Sequence, residues 1–267
     1  MSGLCDAPLV TDTQSSKRAD FLRATVEPSR TAVLTMELQE GVVGSGALLP
    51  ALVDEVGRVG LLDTVRRVCD AARAAGARVV HCTAVTRADG AGAAQNCKIF
   101  ALSERRRRET GTSPTQIGTP GAELMPGLAD ERDIVVPRIH GMTPFTSTSL
   151  DQILRNLGVT TIVATGVSVN LGVLGMALTG LDLGYQVVVV HDGVVGVPAE
   201  YAQAVLDNSL SLIATIVTSD ELLTAAGLDH WGRYVDEYKT VDGRWRFASR
   251  RVTTDGRVAN SIFGGRG

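Results

Sequence analysis

Gln186-Val187-Val188-Val189-Val190-His191 decides the architecture. A strand with one face in water alternates apolar and polar residues. This run does not alternate, so it reads as a strand covered on both faces. Leu171 to Leu183 before it reads as a helix closed by Gly184, the residue that most easily takes the left-handed cap. Thr160 to Thr165, one step further back, reads as another strand. After the valine run come a helix over Glu200 to Ala214 and a short strand at Ile216-Val-Thr. Strands and helices in alternation, with short connections, predict a parallel sheet with helices on both sides.

The N-terminal half repeats the pattern. Thr31-Ala-Val-Leu-Thr-Met is the first strand, and Arg78-Val-Val-His-Cys-Thr the second. Between them Leu62, Val65, Val68, Ala72 and Ala75 fall at helical spacing up to Gly76. Asp133-Ile-Val-Val-Pro is the third strand, and Leu150 to Leu157 a short helix behind a Thr148/Ser149 cap. Residues 84–130 are rich in Gly, Ala and Pro. They are too many for a plain loop, so a partial helix that shapes a site is expected there. Ligands of such sheets bind at the carboxyl ends of the strands, and Glu37, Arg138 and Gly172 all fall there.

The chain of 267 residues, 44% hydrophobic and 21% charged, is long enough for one large core with extensions. The domain reading is a disordered arm over 1–18, a main domain over 19–228 and a β-arm over 229–267. Asp242-Gly243 and Asp255-Gly256 are hairpin-turn signals in that arm, which is expected to pack on the core or on a neighbouring subunit. The net charge of −3 gives no electrostatic reason for nucleic-acid binding. Arg105 to Arg108, flanked by Glu104 and Glu109, reads as a solvated face. No apolar run reaches the ~20 residues of a membrane span, and the polar N-terminus lacks a signal-peptide core. A cytoplasmic protein is the default. The four cysteines, Cys5, Cys69, Cys82 and Cys97, have no metal-like spacing. No metal and no cofactor is expected. Only Cys82 has a claim to lie near a site.

Five segments in order carry a family resemblance. They are Ala32-Val-Leu-Thr-Met-Glu-Leu-Gln39, Gly118-Thr-Pro-Gly-Ala-Glu-Leu124, Pro144-Phe-Thr-Ser-Thr-Ser-Leu150, Gly166-Val-Ser-Val-Asn-Leu-Gly-Val173 and Gly184-Tyr-Gln-Val-Val-Val-Val-His-Asp192. Together they resemble the isochorismatase-like, or cysteine hydrolase, superfamily over roughly residues 30–225. The resemblance implies a Rossmann-like three-layer α/β sandwich around a mostly parallel sheet, a small-molecule substrate and commonly a homo-oligomer. Tyr238 to Val252 separately resembles the last strands of SnoaL-like domains.

The resemblance also implies a catalytic trio of Asp, Lys and Cys. This chain has Glu37 at the Asp position and Gly172 at the Cys position. Arg138 is the cation nearest the Lys position, one residue further from Phe145, so the match needs a one-residue bulge. The branch that hydrolyses the vinyl ether of isochorismate is similar in carrying glycine for cysteine. There a carboxylic acid protonates the enol-ether carbon and water captures the oxocarbenium ion, so no nucleophile is required.

Each residue has a functional and a structural reading. Glu37 after an apolar strand is a general acid/base or half of a structural ion pair. Arg138 is its partner, an anchor for a substrate carboxylate or carbonyl, or a surface arginine. Gly172 with Leu171 offers backbone N–H groups at a helix start for an oxyanion, or is a turn that needs small residues. Asn170 is a helix cap or a pocket ligand. Gln39 and Phe145 are pocket lining by resemblance alone, and His140 sits in the same turn as Arg138. His81 reads as a satisfied core histidine and His191-Asp192 as a strand end.

Three functions remain open. One is a cysteine-independent hydrolase of a small cyclic enol ether, imine or lactam, with Glu37 as acid/base and Arg138 as electrostatic partner. Another is an inactive small-molecule binding or scaffold member of the family. The third is a lyase or isomerase that uses Glu37 for proton transfer. An ordinary cysteine amidohydrolase would need Cys82 or another thiol in the pocket.

Overall fold

A computed structural model describes the backbone of residues 12–225, 230–241 and 244–257, and the side chains of residues 17–225. In chain order the elements begin with α1 (Asp12–Thr25), β1 (Thr31–Met36), α2 (Glu40–Val43), α3 (Pro50–Val59), α4 (Leu61–Ala75), β2 (Arg78–Ala84) and α5 (Lys98–Thr110). They continue with β3 (Ile134–Arg138), α6 (Leu150–Asn156), β4 (Thr161–Val167), α7 (Leu174–Asp182) and β5 (Gln186–Val195). The last are α8 (Ala199–Val205), α9 (Ser211–Ile213), β6 (Thr215–Val217), α10 (Ser219–Ala225), β7 (His230–Val241) and β8 (Arg244–Arg257).

The central sheet has the order β3-β2-β1-β4-β5-β6, and each of its pairings is parallel. Helices cover both faces, which makes the three-layer sandwich expected from the valine run. Successive strand residues feed opposite cores. Leu34, Val80, Ile162 and Val189 pack on one side with Leu150, Leu154, Met176 and Ala177. Val33, Val79, Val163 and Val188 pack on the other with Val56, Leu61, Val65 and Val68. Strand order reverses at β1, which has β2 on one side and β4 on the other. A crevice therefore opens at the carboxyl end of β1.

The α4 helix spans 61–75 as its spacing predicts, and Gly76 closes it at φ +84°. Thr148 Oγ1 accepts the Leu150 N–H at 3.1 Å, so Thr148 is the side chain that caps α6. The 84–130 stretch does hold a helix, α5. The helices expected over 171–183 and 200–214 are interrupted. Wide π turns at Val169–Val173 and Leu206–Leu210 stand against α7 and between α8 and α9.

Several expectations are corrected. The stretch 1–18, expected to be a disordered arm, overlaps α1, which begins at Asp12; residues 1–11 lie outside the described residues. His191-Asp192 does not end its strand. The register against β4 slips between Ala164 and Gly166, and β5 runs on to Val195. Asp192 is used instead to bond the N–H of Ser219 at 2.7 Å and its hydroxyl at 2.6 Å. In the arm, β7 and β8 pair antiparallel on either side of 242–243. Asp255-Gly256 lies inside β8 and is not a second turn. The expected packing of the arm falls outside the described residues. Among the described residues no helix is long and apolar enough to cross a membrane.

Candidate active site

Glu37 is the first residue beyond β1. Its N–H bonds the Cys82 carbonyl at 2.9 Å, extending the ladder by one step. Its φ is +53°, the left-handed region that a glutamate seldom adopts and that concentrates at functional sites. Arg138 ends β3, whose pairing with β2 runs without a register shift from Val80/Ile134 to Ala84/Arg138. The turn after the strand carries Gly141 at φ +90°.

The two side chains meet. Arg138 Nη2 donates to Glu37 Oε1. Arg138 Nε donates to the Gly141 carbonyl at 2.9 Å, and Nη1 is buried without a hydrogen-bond partner. Arg138 is only 4% exposed, whereas the Glu37 side chain keeps 20%. Both line a cavity of about 170 Å³. Its walls come from Leu48, Leu49 and Leu52 ahead of and within α3, from Ile99 and Phe100 on α5, and from Met142. His140 is exposed on the same lining.

The other expected site residues lie elsewhere. Gln39 is buried, and its amide is fully used: Nε2 donates to the Ala84 and Ala122 carbonyls and Oε1 accepts the Ala84 N–H. It fastens the cavity's frame and does not line it. Phe145 belongs to the core, stacked on Tyr185 with ring centroids 5.9 Å apart. Asn170 is not a helix side-chain cap; its Oδ1 accepts from the Ser168 hydroxyl at 2.6 Å and its Nδ2 reaches the Val197 carbonyl. The Leu171 N–H is taken by the Ser168 carbonyl at 3.1 Å, which removes it from any oxyanion role, and its side chain is 49% exposed. Gly172 is buried, and a Cβ there would lie 2.8 Å from Met36 Cε and 3.3 Å from Cγ. Gly172, Asn170 and Leu171 are absent from the lining of the Glu37 cavity.

Neither core thiol is poised for chemistry. Cys82 lies within β2, and burial pushes its thiol up to about 12, although Arg138 pulls the other way. Burial does the same to Cys69. His81 is fully buried between Thr35 and Asp133, as expected of a core histidine. Among the described residues no group of three His, Cys, Asp or Glu side chains is arranged to hold a metal ion.

The sequence reading missed a second ion pair in the cavity wall. Arg107 was expected on a solvated face. Instead it grips Glu104 through Nε and Nη2, both at 2.8 Å, and both residues line the cavity. Hydrogen bonds from Arg107 and then Arg108 hold the Glu104 carboxyl down to about 2. The block of four arginines in Glu104-Arg-Arg-Arg-Arg-Glu109 does not reveal which arginine turns inward. Only the low exposure of Glu104, 8%, does.

Residues 31–221 match the family model described as the isochorismatase domain. The chain belongs to the isochorismatase family. Among curated proteins it is similar to the ureidoacrylate amidohydrolase RutB of Pseudomonas syringae pv. syringae (strain B728a), 29% identical over 208 residues, 74% of this chain and 84% of that one. Among solved structures it resembles the cysteine hydrolase from Pseudomonas syringae pv. phaseolicola 1448A. That comparison has a TM-score of 0.63 and 21% identity, covering 76% of this chain and 95% of the other. An isochorismatase family protein from Desulfovibrio vulgaris subsp. vulgaris str. Hildenborough gives a TM-score of 0.63 at 24% identity, covering 74% and 98%. At these identities the two structures speak for the isochorismatase fold alone. Two of these three carry hydrolase names, the amidohydrolase and the cysteine hydrolase.

Proposed function

We propose that the chain is a hydrolase that works without a cysteine nucleophile, with Glu37 as general acid/base and Arg138 as its electrostatic partner. The observation that carries this reading is the placement of both residues on one cavity while Met36 crowds the space beside Gly172. The nearest buried thiol, Cys82, is held protonated by its surroundings, so thiolate attack has no candidate there.

The substrate is a small, cyclic molecule with an enol ether, imine or lactam bond. The lactam is the member of that set nearest to the amide chemistry in the relatives' names. For a lactam or imine, Glu37 takes a proton from water as the water oxygen attacks the C=O or C=N carbon. Arg138 stabilises the charge that develops on the heteroatom. Glu37 then returns the proton to nitrogen. A lactam nitrogen departs with that proton, whereas the carbinolamine formed from an imine also passes its hydroxyl proton to nitrogen as C–N breaks and C=O forms, so in each case one water is added and nothing else is consumed. For an enol ether the order reverses: the protonated Glu37 donates to carbon and water captures the cation.

The test is mass spectrometry of a panel of cyclic enol ethers, imines and lactams incubated with the wild type and with Glu37→Gln. A gain of one water that falls by about 10²- to 10⁴-fold in the variant, at unchanged fold, supports the reading. Full activity in Glu37→Gln would sink it. A product of unchanged mass would move the reaction to an isomerase, and binding with no conversion would move the chain to a non-catalytic role.

A further inference from the structure

We propose that the cavity over Glu37 and Arg138 selects an uncharged, largely apolar molecule, and that the Glu104–Arg107 pair excludes its carboxylate-bearing congeners. The proposal deepens the preceding reading and rests on it for where the reacting bond lies.

The argument is a charge balance. The lining holds two carboxylates, Glu37 and Glu104, and two guanidinium groups, Arg107 and Arg138. They are matched one to one: Arg138 with Glu37 and Arg107 with Glu104. Arg108 also bonds Glu104, but its side chain is exposed and lies outside the lining. The remaining wall is mainly aliphatic and aromatic, with a few hydroxyls and the exposed His140. A ligand carboxylate would therefore add a net negative charge in largely apolar surroundings, because the guanidinium whose Nη1 is still open, that of Arg138, already has its charge balanced by Glu37, and an unbalanced buried charge is costly.

Arg107 is also held in place. A Cβ on Gly90 would come 2.7 Å from Arg107 Nε and 2.9 Å from Cζ, so the guanidinium lies close against Gly90, and Nη1 also reaches the Ala88 carbonyl at 3.5 Å. Its two-point grip on Glu104 fixes it from the other side. A neutral acceptor has a different prospect. Arg138 Nη1 is buried and lacks a partner, and leaving such a donor unpaired is expensive. A carbonyl, ether or imine oxygen or nitrogen supplies the acceptor without bringing a charge. A closed apolar cavity of about 150 Å³ takes benzene, so the present space, which opens to solvent, suits a molecule of one or two rings.

The test uses full-length wild-type protein and a probe pair with no bond that hydrolysis can open: 1-indanone and 1-indanone-5-carboxylate, titrated by calorimetry at pH 7.5. We expect the ketone to bind at least about tenfold more tightly than the acid, a discrimination typical of a mismatched buried polar group. Glu104→Gln replaces the charged partner of Arg107 by a neutral amide and is expected to narrow the gap by about tenfold, with the ketone affinity unchanged. Glu37→Gln frees Arg138 and is expected to narrow it as well, so the proposal stays testable if one variant misfolds. Equal or tighter binding of the acid by the wild type overturns the proposal, as does failure of both probes to bind, or a gap that neither folded variant changes. None of these readings depends on turnover. Activity retained in Glu37→Gln would refute the acid/base role and leave the charge selection standing, and the converse holds.

Discussion

His81 Nε2 lies 3.0 Å from Asp133 Oδ2, in a line that continues from Thr35 Oγ1 at 2.7 Å on one side to Arg73 at 2.6 Å on the other. Burial pushes the imidazole below its ordinary 6.5, outweighing the upward pull of Asp133. Between that lower value and 6.5 the unfolded chain binds more protons than the folded one, so acid favours unfolding there. Burial acts upward on Asp133, but hydrogen bonds from Arg73, His81 and the Asp130 N–H prevail and hold it below 3.8. Its contribution is present above that value and is lost as pH falls through the folded one. Urea unfolding free energy is therefore expected to drop as pH falls below about 6.5, with a second loss below about 4. His81→Gln should flatten the first drop. An unchanged slope in that variant would assign it to other groups.

Placing a thiol at position 172 should not supply thiol chemistry. Gly172→Cys drives a Cβ into the Met36 side chain and is expected to destabilise the fold by about 1–3 kcal/mol, the usual cost of overpacking. The double variant Gly172→Cys with Met36→Ala should recover part of that loss. Thermal unfolding of the three proteins checks this, and a single variant as stable as wild type would show that Met36 yields freely.

Alkylation separates the cysteines. With their thiols pushed up to about 12, Cys69 and Cys82 should resist iodoacetamide in the native protein at pH 7.5, whereas Cys97, partly exposed, should react. Whatever turnover the protein has should survive. Peptide mapping gives the sites, and inactivation that tracks Cys82 labelling would revive a cysteine mechanism.

Gln39→Ala should damage stability before chemistry. The change strands the N–H and carbonyl of Ala84 and the carbonyl of Ala122. At about 1 kcal/mol for each bond, a loss of about 2–4 kcal/mol is expected, measured by urea unfolding. If Gln39 instead contacts substrate, KM will rise with little change in the midpoint.

Much of the fold is legible in the sequence because burial on both faces leaves an unmistakable record. Val187 to Val190 suits an interior strand and the spacing of Leu62 to Ala75 suits a helix, and the structure has both. The slip that carries β5 past His191 is not legible, because it follows no local pattern, and the partner of Asp192 there, Ser219, lies 27 residues away. At the site, Glu37 and Arg138 can be paired from their positions at two strand ends. Gln39 and Phe145 sit close to that pair in sequence, yet their side chains are spent on the loop frame and on Tyr185. The Glu104–Arg107 pair escaped notice because a charged run on a helix looks the same whether one arginine faces solvent or a cavity wall.

The strand order puts Glu37, Ala84 and Arg138 at the ends of three neighbouring strands on one flank of β1, and the Gly172 turn on the other. The cavity draws its walls from residues 37–52, 84–115 and 138–142, none of which belongs to the β4–β6 half. The molecule is thus divided for an engineer: the stretch between β2 and β3 can be exchanged with that of a relative to change what is bound. The half beyond β4, with its own packed helices, would serve as an unaltered chassis.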